Sequence, residues 1–320
     1  MATSSIGFVG ASGLMGHGMA RHLLAHVAKH GLQSGNSLRI AASRRPERVA
    51  DLLAAGASTA TLAELGAHSD VVFICVTGSP DVEAVVLGSA QQPGGLLRDA
   101  RPDLVIVDCS TSEPQSTALL RTRCAERGVT LVDAPLARTP VEAEAGRLNV
   151  MVGAEPDVFI RVEPLIRAFA ENVFHMGGPG AGHTIKLLNN FIAQAICTAT
   201  AEAFAVGRRA GVDLHRFVDL VSQGAVNCGL FQAMAKTLDG DMTGLMFELD
   251  NARKDLRYYT HLAEGLAVPS LVGTAVHQSL AVASALGHGK KFVPALVQAQ
   301  EQLSGAQIVG TPNQTTGDTT

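Results

Sequence analysis

A short apolar run, Ile6 to Val9, meets glycine at once. Gly10, Gly13 and Gly16 then lead into Met19 to Val27, which repeats at helical period. Strand, glycine-rich turn and helix in that order open a βαβ unit of the kind that binds a dinucleotide. Glycine lets the main chain approach a pyrophosphate, and the first helical turn offers unpaired N–H groups and the positive end of the helix dipole. Leu14 and Met15 stand just before the last glycine and belong to the same turn. The spacing is G-x-x-G-x-x-G, one residue longer than the usual G-x-G-x-x-G, so the phosphate loop is expected to differ in shape.

An opening of this kind commits the chain to a parallel sheet, and the following runs agree. Leu38 to Ala42 reads as the second strand. Val71 to Val76, Leu104 to Val107, Val129 to Val132 and Asn149 to Val152 are further apolar runs, suited to strands buried on both faces. Ligands in such folds sit at the carboxyl ends of the strands. The residues at those ends are therefore the candidates. Val76 and Thr77 are placed at the cofactor. Ser110 and Thr111 either touch its nicotinamide half or cap the next helix. After the second strand come Ser43-Arg44-Arg45-Pro46, with no acid before Glu47. A carboxylate there would suit the ribose 2′-hydroxyl of NAD, whereas a guanidinium and a hydroxyl suit a 2′-phosphate. Ser43 and Arg44 thus predict NADP(H) in preference to NAD(H). Arg138 and Thr139 leave the end of another strand, and Arg138 either clamps an anionic substrate tail or pairs with Glu142 or Glu144.

Beyond Gly182 strand-like runs almost vanish and alanine-rich helical patterns continue to about Ser304. The change is marked by Gly177 to Asn190, GGPGAGHTIKLLNN, whose helical part is expected to run to about Arg209 and end at Gly211. Lys186, Asn189 and Asn190 share one helix face through i, i+3 and i+4 spacing. An ammonium with two carboxamides beside it can donate to a substrate oxygen and exchange a proton with it. Further on, Lys254 either reaches a cofactor phosphate or pairs with Asp250 or Asp255.

The expected architecture is α/β: a doubly wound Rossmann-type domain over residues 1–181, then an all-helical substrate and dimerisation domain over 182–304. The active site is expected between them, and 305–320 reads as a disordered polar tail. At 320 residues and 47% hydrophobic, with no tryptophan, the chain has ample material for such cores. A net charge of −4 without a basic run gives no sign of nucleic-acid binding. The most apolar long run, Phe191 to Gly207, contains Gln194 and Glu202 and reads as a buried helix, not a membrane span. Only five residues precede Ile6, which leaves no room for a secretory leader. Five scattered cysteines suit reduced thiols and a cytoplasmic location. His17, His22, His26 and His30 lack accompanying acids or thiols and read as a polar helix face, so no metal site is expected.

These blocks, in this order, resemble the β-hydroxyacid dehydrogenase family, which includes 3-hydroxyisobutyrate dehydrogenase and is related to 6-phosphogluconate dehydrogenase. The likeness spans about Ile6 to Ser304. It is carried by Gly10 to Gly16, by Asp133-Ala134-Pro135 through Met151-Val152-Gly153, by the Gly177 to Asn190 block, and by Lys254-Asp255-Leu256. The resemblance implies hydride transfer between NADP and an alcohol or aldehyde, with Lys186 as general acid/base, Asn189 and Asn190 orienting it, and Lys254 near the cofactor. The family's usual Ser-Gly-Gly is here Ala137-Arg138-Thr139, which is similar to the sulfolactaldehyde reductase branch. It implies a small anionic substrate, carboxylate or sulfonate. That branch carries an acid after its second strand, and Ser43-Arg44 departs from it. The alternatives are an imine reductase-like enzyme, against which Lys186 argues, and a non-catalytic NADP-binding interaction module. The apolar helical part implies a homodimer or homotetramer.

Overall fold

The computed structural model describes residues 5–29, 38–42, 45–90 and 93–310. The chain forms two compact units that divide after Lys186, later than the expected boundary at 181 and inside a helix.

The first unit alternates strand and helix. Its elements are β1 (Ile6–Val9), α1 (Leu14–Lys29), β2 (Arg39–Ala41), α2 (Ala50–Ala54), β3 (Ser58–Ala60), α3 (Leu62–His68), β4 (Val71–Ile74), α4 (Ser79–Leu87), β5 (Val105–Asp108) and α5 (Pro114–Ala125). Then come β6 (Thr130–Asp133), β7 (Leu136–Ala137), α6 (Pro140–Glu144), β8 (Leu148–Gly153), α7 (Pro156–Ile166) and β9 (Ala170–Gly177). Strands β3, β2, β1, β4, β5 and β6 lie parallel in that spatial order. β6 and β7 pair antiparallel with β8, which pairs in parallel with β9.

Alternate residues of the central strands feed two separate cores. Phe8, Phe73 and Val107 pack with Met19 and Leu23 of α1 and Ile166 of α7 on one face. Val72, Ile74 and Ile106 pack with Leu65, Val82 and Leu120 of α3, α4 and α5 on the other. This two-sided burial is why those strands read as unbroken apolar runs, each buried large side chain being worth about 1.5–3 kcal/mol. Strand order runs outward from β1 through β2 and outward from β4 through β5. The crevice between β1 and β4 is therefore the switch point where α/β sheets take their ligands.

The second unit is helical. α8 (Ala181–Arg209) runs into it from the first and ends near Gly211, as expected. α9 (Leu214–Ser222), α10 (Gly229–Ala235), α11 (Leu249–Gly265), α12 (Leu271–Ala283) and α13 (Leu296–Ser304) follow. Phe204, Phe217 and Phe231 meet edge to face, with ring centres 6.2–6.4 Å apart, within a core that includes Leu249, Leu256, Leu280 and Val297. Residues 305–310 depart from the expected disordered tail. Ile308 is 1% exposed in that core, and the Glu301 carboxylate accepts from the amides of Ile308 (2.5 Å) and Val309 (2.8 Å). Ala306, Ile308 and Val309 pack on that core, apolar side chains at the head of a tail whose later residues are polar. No helix among the described residues is long and apolar enough to cross a membrane.

Candidate active site

The nucleotide turn is built from close backbone approach. Gly10 has φ +98°, and a Cβ there would run into the carbonyl oxygen of Cys75 at the end of β4. The additional residue is absorbed in a tight turn: the Gly13 amide donates to the Gly10 carbonyl at 3.0 Å, and α1 starts at Leu14, 70% exposed. Met15 and Gly16 complete the first helical residues. No acidic residue stands in the first turn of α1, so nothing on the helix itself offsets the positive end of its dipole. Glycine-walled turn, bare helix start and switch-point position fit the pyrophosphate of a dinucleotide. Ser43 and Arg44, on which the choice of NADP rests, lie outside the described residues.

Across the crevice a buried carboxylate organises the end of β5. Asp108 accepts from the Ser110 amide and from the Ser112 hydroxyl, each at 2.9 Å. The Ser110 hydroxyl in turn accepts from the Val76 amide at 3.0 Å, joining the ends of β4 and β5. α5 is capped from Glu113 without a side-chain bond, so neither Ser110 nor Thr111 serves as its cap. Thr77 is exposed and Thr111 half-buried at the same strand ends.

A second buried carboxylate, Asp133 at the end of β6, seizes the start of α8. Its two oxygens accept from the amides of Gly180 (2.7 Å) and His183 (2.9 Å). Charge-assisted bonds of this kind satisfy N–H groups that every helix start leaves open. The packing leaves no room for side chains: a Cβ on Gly182 would meet the Met151 carbonyl, and one on Gly153 would meet the Asp133 carboxylate. Lys186, half-buried, follows one turn after His183 on this anchored helix. Beyond the division, within the second unit, the Asn190 amide donates to Asp255 at 2.6 Å, and the Asn189 amide donates to Asn190 at 3.2 Å. Lys254 lies 2.9 Å from the other Asp255 oxygen, which is the pairing alternative foreseen for it.

The loop from Ala137 to Thr139 is differently made. Ala137 ends β7 and pairs with Asn149. Arg138 adopts φ +82°, a conformation that costs an L-residue about 1–2 kcal/mol. Its guanidinium donates to the Arg147 carbonyl at 2.5 Å and to Glu171 of β9, a partner other than the expected Glu142 or Glu144. Thr139 caps α6: its amide and hydroxyl both donate to Glu142, at 3.0 and 2.6 Å. Thr139 hydrogen bonding holds the Glu142 carboxyl below its usual range. Both donors of Thr139 are thereby committed within the capping box.

α6 leans on α1, and His17 links them, its ring nitrogens facing Glu144 at 2.9 Å and Asp51 at 3.1 Å. Burial pulls the His17 pKa down, but hydrogen bonds and charge from Glu144 and Asp51 outweigh it and raise the pKa above 6.5. His22 meets the Glu144 carbonyl at 2.9 Å. His30 lies outside the described residues, among which no group of three potential metal ligands occurs.

Sequence reading gave Asp108, Asp133 and His183 no role of their own, naming Asp133 only within a block of the family resemblance and Asp255 only in such a block and as a partner for Lys254. Asp108 and Asp133 each end an apolar run, which is the one signal that could have marked them as buried and bonded; Asp255 stands among charged residues and carries no such signal.

A family model for the NAD binding domain of 6-phosphogluconate dehydrogenase matches residues 5–178, and one for the NAD-binding part of NADP-dependent 3-hydroxyisobutyrate dehydrogenase matches 180–299. The chain is 30% identical to 2-(hydroxymethyl)glutarate dehydrogenase of Eubacterium barkeri over 95% of this chain and 97% of that one. It is 31% identical to L-threonate dehydrogenase of Cupriavidus necator, covering 92% and 95%. With 3-sulfolactaldehyde reductase of Escherichia coli it shares 28%, again covering 92% and 95%. Among solved structures, 3-hydroxyisobutyrate dehydrogenase of Salmonella typhimurium superimposes with TM-score 0.74 at 28% identity, covering 92% of this chain and 98% of that one. An imine reductase of Myxococcus stipitatus shares the fold at TM-score 0.58 and 19% identity, covering 92% and 99%.

Proposed function

We infer, from the premise that this chain belongs to the β-hydroxyacid dehydrogenase family, how its residues divide the work of that chemistry. The protein is an NAD(P)-dependent oxidoreductase of hydroxy acids or the corresponding aldehyde acids. The finer assignment is that it prefers NADP(H), through Ser43 and Arg44, and acts on a small substrate with an anionic tail. One observation carries the catalytic assignment: buried Asp133 holds the amides of Gly180 and His183 at the start of α8, and Lys186 stands on the next turn with Asn190 braced by Asp255.

The residues Gly10, Gly13, Leu14, Met15 and Gly16 would hold the pyrophosphate, with Val76, Thr77, Ser110 and Thr111 toward the nicotinamide and Lys254 near the cofactor. Bound there, the cofactor supplies or accepts the hydride. Lys186 does the proton work: in reduction its ammonium donates to the carbonyl oxygen, and in oxidation its amine takes the hydroxyl proton. Asn190, fixed by Asp255, has its carboxamide oxygen bonded to Asn189, so the pair orients as a unit. Arg138 takes the carboxylate or sulfonate in exchange for Glu171, since a guanidinium forks onto either. Thr139 contributes by shaping the loop, its donors being held by Glu142. The substrates for which the relatives are named, hydroxymethylglutarate, threonate and sulfolactaldehyde, carry anionic groups of this kind.

The proposal includes a cytoplasmic homodimer or homotetramer, for which Leu220, Val226 and Leu271 of the helical unit, each more than 70% exposed, supply apolar surface. A monomer in light scattering at micromolar concentration contradicts that part.

The test is oxidation of NADPH and NADH against sulfolactaldehyde, succinic, methylmalonic and tartronic semialdehydes and glyoxylate, with reduction of NADP and NAD by threonate and hydroxymethylglutarate. Lys186→Ala is run beside the parent and is expected to lose at least about a hundredfold in turnover while still binding cofactor. Near-normal turnover in that variant overturns the role of Lys186. Preference for NADH discards the reading of Ser43 and Arg44. Turnover of a cyclic imine but of none of these acids moves the assignment to an imine substrate.

A further inference from the structure

His183 is 1% exposed, and nothing in the chemistry so far uses its side chain. Its Nδ1 lies 2.7 Å from the Thr117 hydroxyl of α5, and its Nε2 faces Asp108 at 3.6 Å without a hydrogen-bond partner. Thr117 and Asp108 are each 2% exposed. A buried imidazole costs free energy that an apolar side chain of similar size would not, so it must gain something from its partners. The tautomer that serves both nitrogens has Thr117 donating to Nδ1 at 2.7 Å in preference to the Glu113 carbonyl at 3.2 Å, with Nε2–H directed toward the Asp108 carboxylate. His183 then joins α8 to α5 and to the end of β5. Asp108 carries the connection on to Ser110, and Ser110 to Val76, the strand-end residues assigned to the cofactor.

We propose that His183 is a positioning residue: through Thr117 and Asp108 it keeps the helical turn bearing Lys186 in register with the β5-end loop. The backbone of His183 is already held by Asp133, but a cap fixes the helix start and not its rotation. A side chain three residues before Lys186, hydrogen-bonded to α5 and facing Asp108 at the end of β5, fixes rotation as well. Reacting groups misplaced by about 1 Å lose on the order of a hundredfold in rate, so the demand on such a tie is high. This inference rests on Lys186 being the acid/base.

The test uses the full chain in four forms besides the parent: His183→Ala, His183→Gln, Thr117→Val and the double His183→Ala/Thr117→Val, with Lys186→Ala as reference. kcat, KM and NADPH affinity by fluorescence are measured with the best substrate of the panel. His183→Ala is expected to lower kcat about tenfold to a hundredfold while KM and cofactor affinity change less than about threefold. His183→Gln, whose carboxamide can accept from Thr117 and donate toward Asp108, is expected to recover to within about threefold of the parent. Thr117→Val should also lower kcat, and the double variant should be no worse than His183→Ala, since both act through one connection. Parent-like kcat in His183→Ala, no recovery with glutamine, or fully additive losses overturns the proposal. If His183→Ala does not fold, the glutamine and valine variants decide: His183→Gln near the parent with Thr117→Val impaired supports it, and any other pairing overturns it. Failure of the Lys186 assignment shows separately, as normal turnover in Lys186→Ala.

Discussion

The start of α8 and the Arg138 loop sit at the two ends of one stretch of sheet, yet they are built on opposite principles. At the helix start Asp133 is buried, its oxygens take two backbone amides, and Gly153 and Gly182 allow contacts that admit no side chain. In the Arg138 loop a half-buried guanidinium in a left-handed backbone is held by a carboxylate that is itself 49% exposed. The first arrangement leaves little room for adjustment and carries Lys186, the residue proposed for proton transfer. The second is held by an ion pair that water and salt weaken, and it is where the substrate's tail is expected. On the proposed reading, rigid chemistry and adjustable recognition are kept at separate ends of one stretch of sheet.

The contrast can be broken most forcefully at Asp133. Asp133→Ala removes both caps at once and leaves two amides unpaired at a buried helix start. A loss of about 3 kcal/mol or more in urea unfolding is expected, with turnover falling alongside. A loss under about 1 kcal/mol would mean that the helix start is not the rigid element. Arg138→Gly should behave differently. Glycine relieves the φ of +82°, by about 1 kcal/mol, and the lost ion pair was worth at most about as much. Stability should therefore stay nearly level while KM for an anionic substrate rises about tenfold or more. Unchanged KM across the acid panel would remove Arg138 from recognition.

Two smaller effects sharpen the picture. His17 has a folded pKa raised above 6.5, so its link to Glu144 and Asp51 stabilises fully below that value and fades as pH rises through the folded pKa. Asp51, held below 3.8 by the His17 hydrogen bond, contributes with the opposite sign, and its share is lost only as pH falls through its own lowered pKa. The parent should thus exceed His17→Gln in stability more at pH 6 than at pH 8, by less than about 1 kcal/mol for so accessible a site. An equal gap at both values would show that the link is not electrostatic. Finally, Glu171→Gln frees Arg138 from its partner and should lower KM for an anionic substrate by about twofold, whereas a rise would mean that Glu171 holds Arg138 in place for binding.

Legibility followed burial. β1, β4, β5, β6 and β8 stood out because both faces are covered and nearly every residue is apolar. β3, a three-residue strand with two exposed positions, and β9, which mixes Glu171, Asn172 and His175 with apolar residues, carry no such run and went unread. The glycine turn and the Lys186 helix were read correctly in kind because their spacing is local. The extra residue in the turn was visible, but only the Gly13-to-Gly10 hydrogen bond shows how it is absorbed.

By itself, then, the sequence determined the class of fold and the order of the units, and it nominated the residues proposed to carry a proton or a phosphate. These depend on periodicity and on neighbours within a turn or two. The tertiary structure alone decided what those residues bond to. Arg138 found Glu171, and Asp133, Asp108 and His183 came together from three elements around the base of α8. The reason is distance along the chain: Asp133 and His183 are 50 residues apart and Thr117 and His183 are 66 apart. Contacts at such separations are selected by the packing of whole elements, which no local spacing encodes.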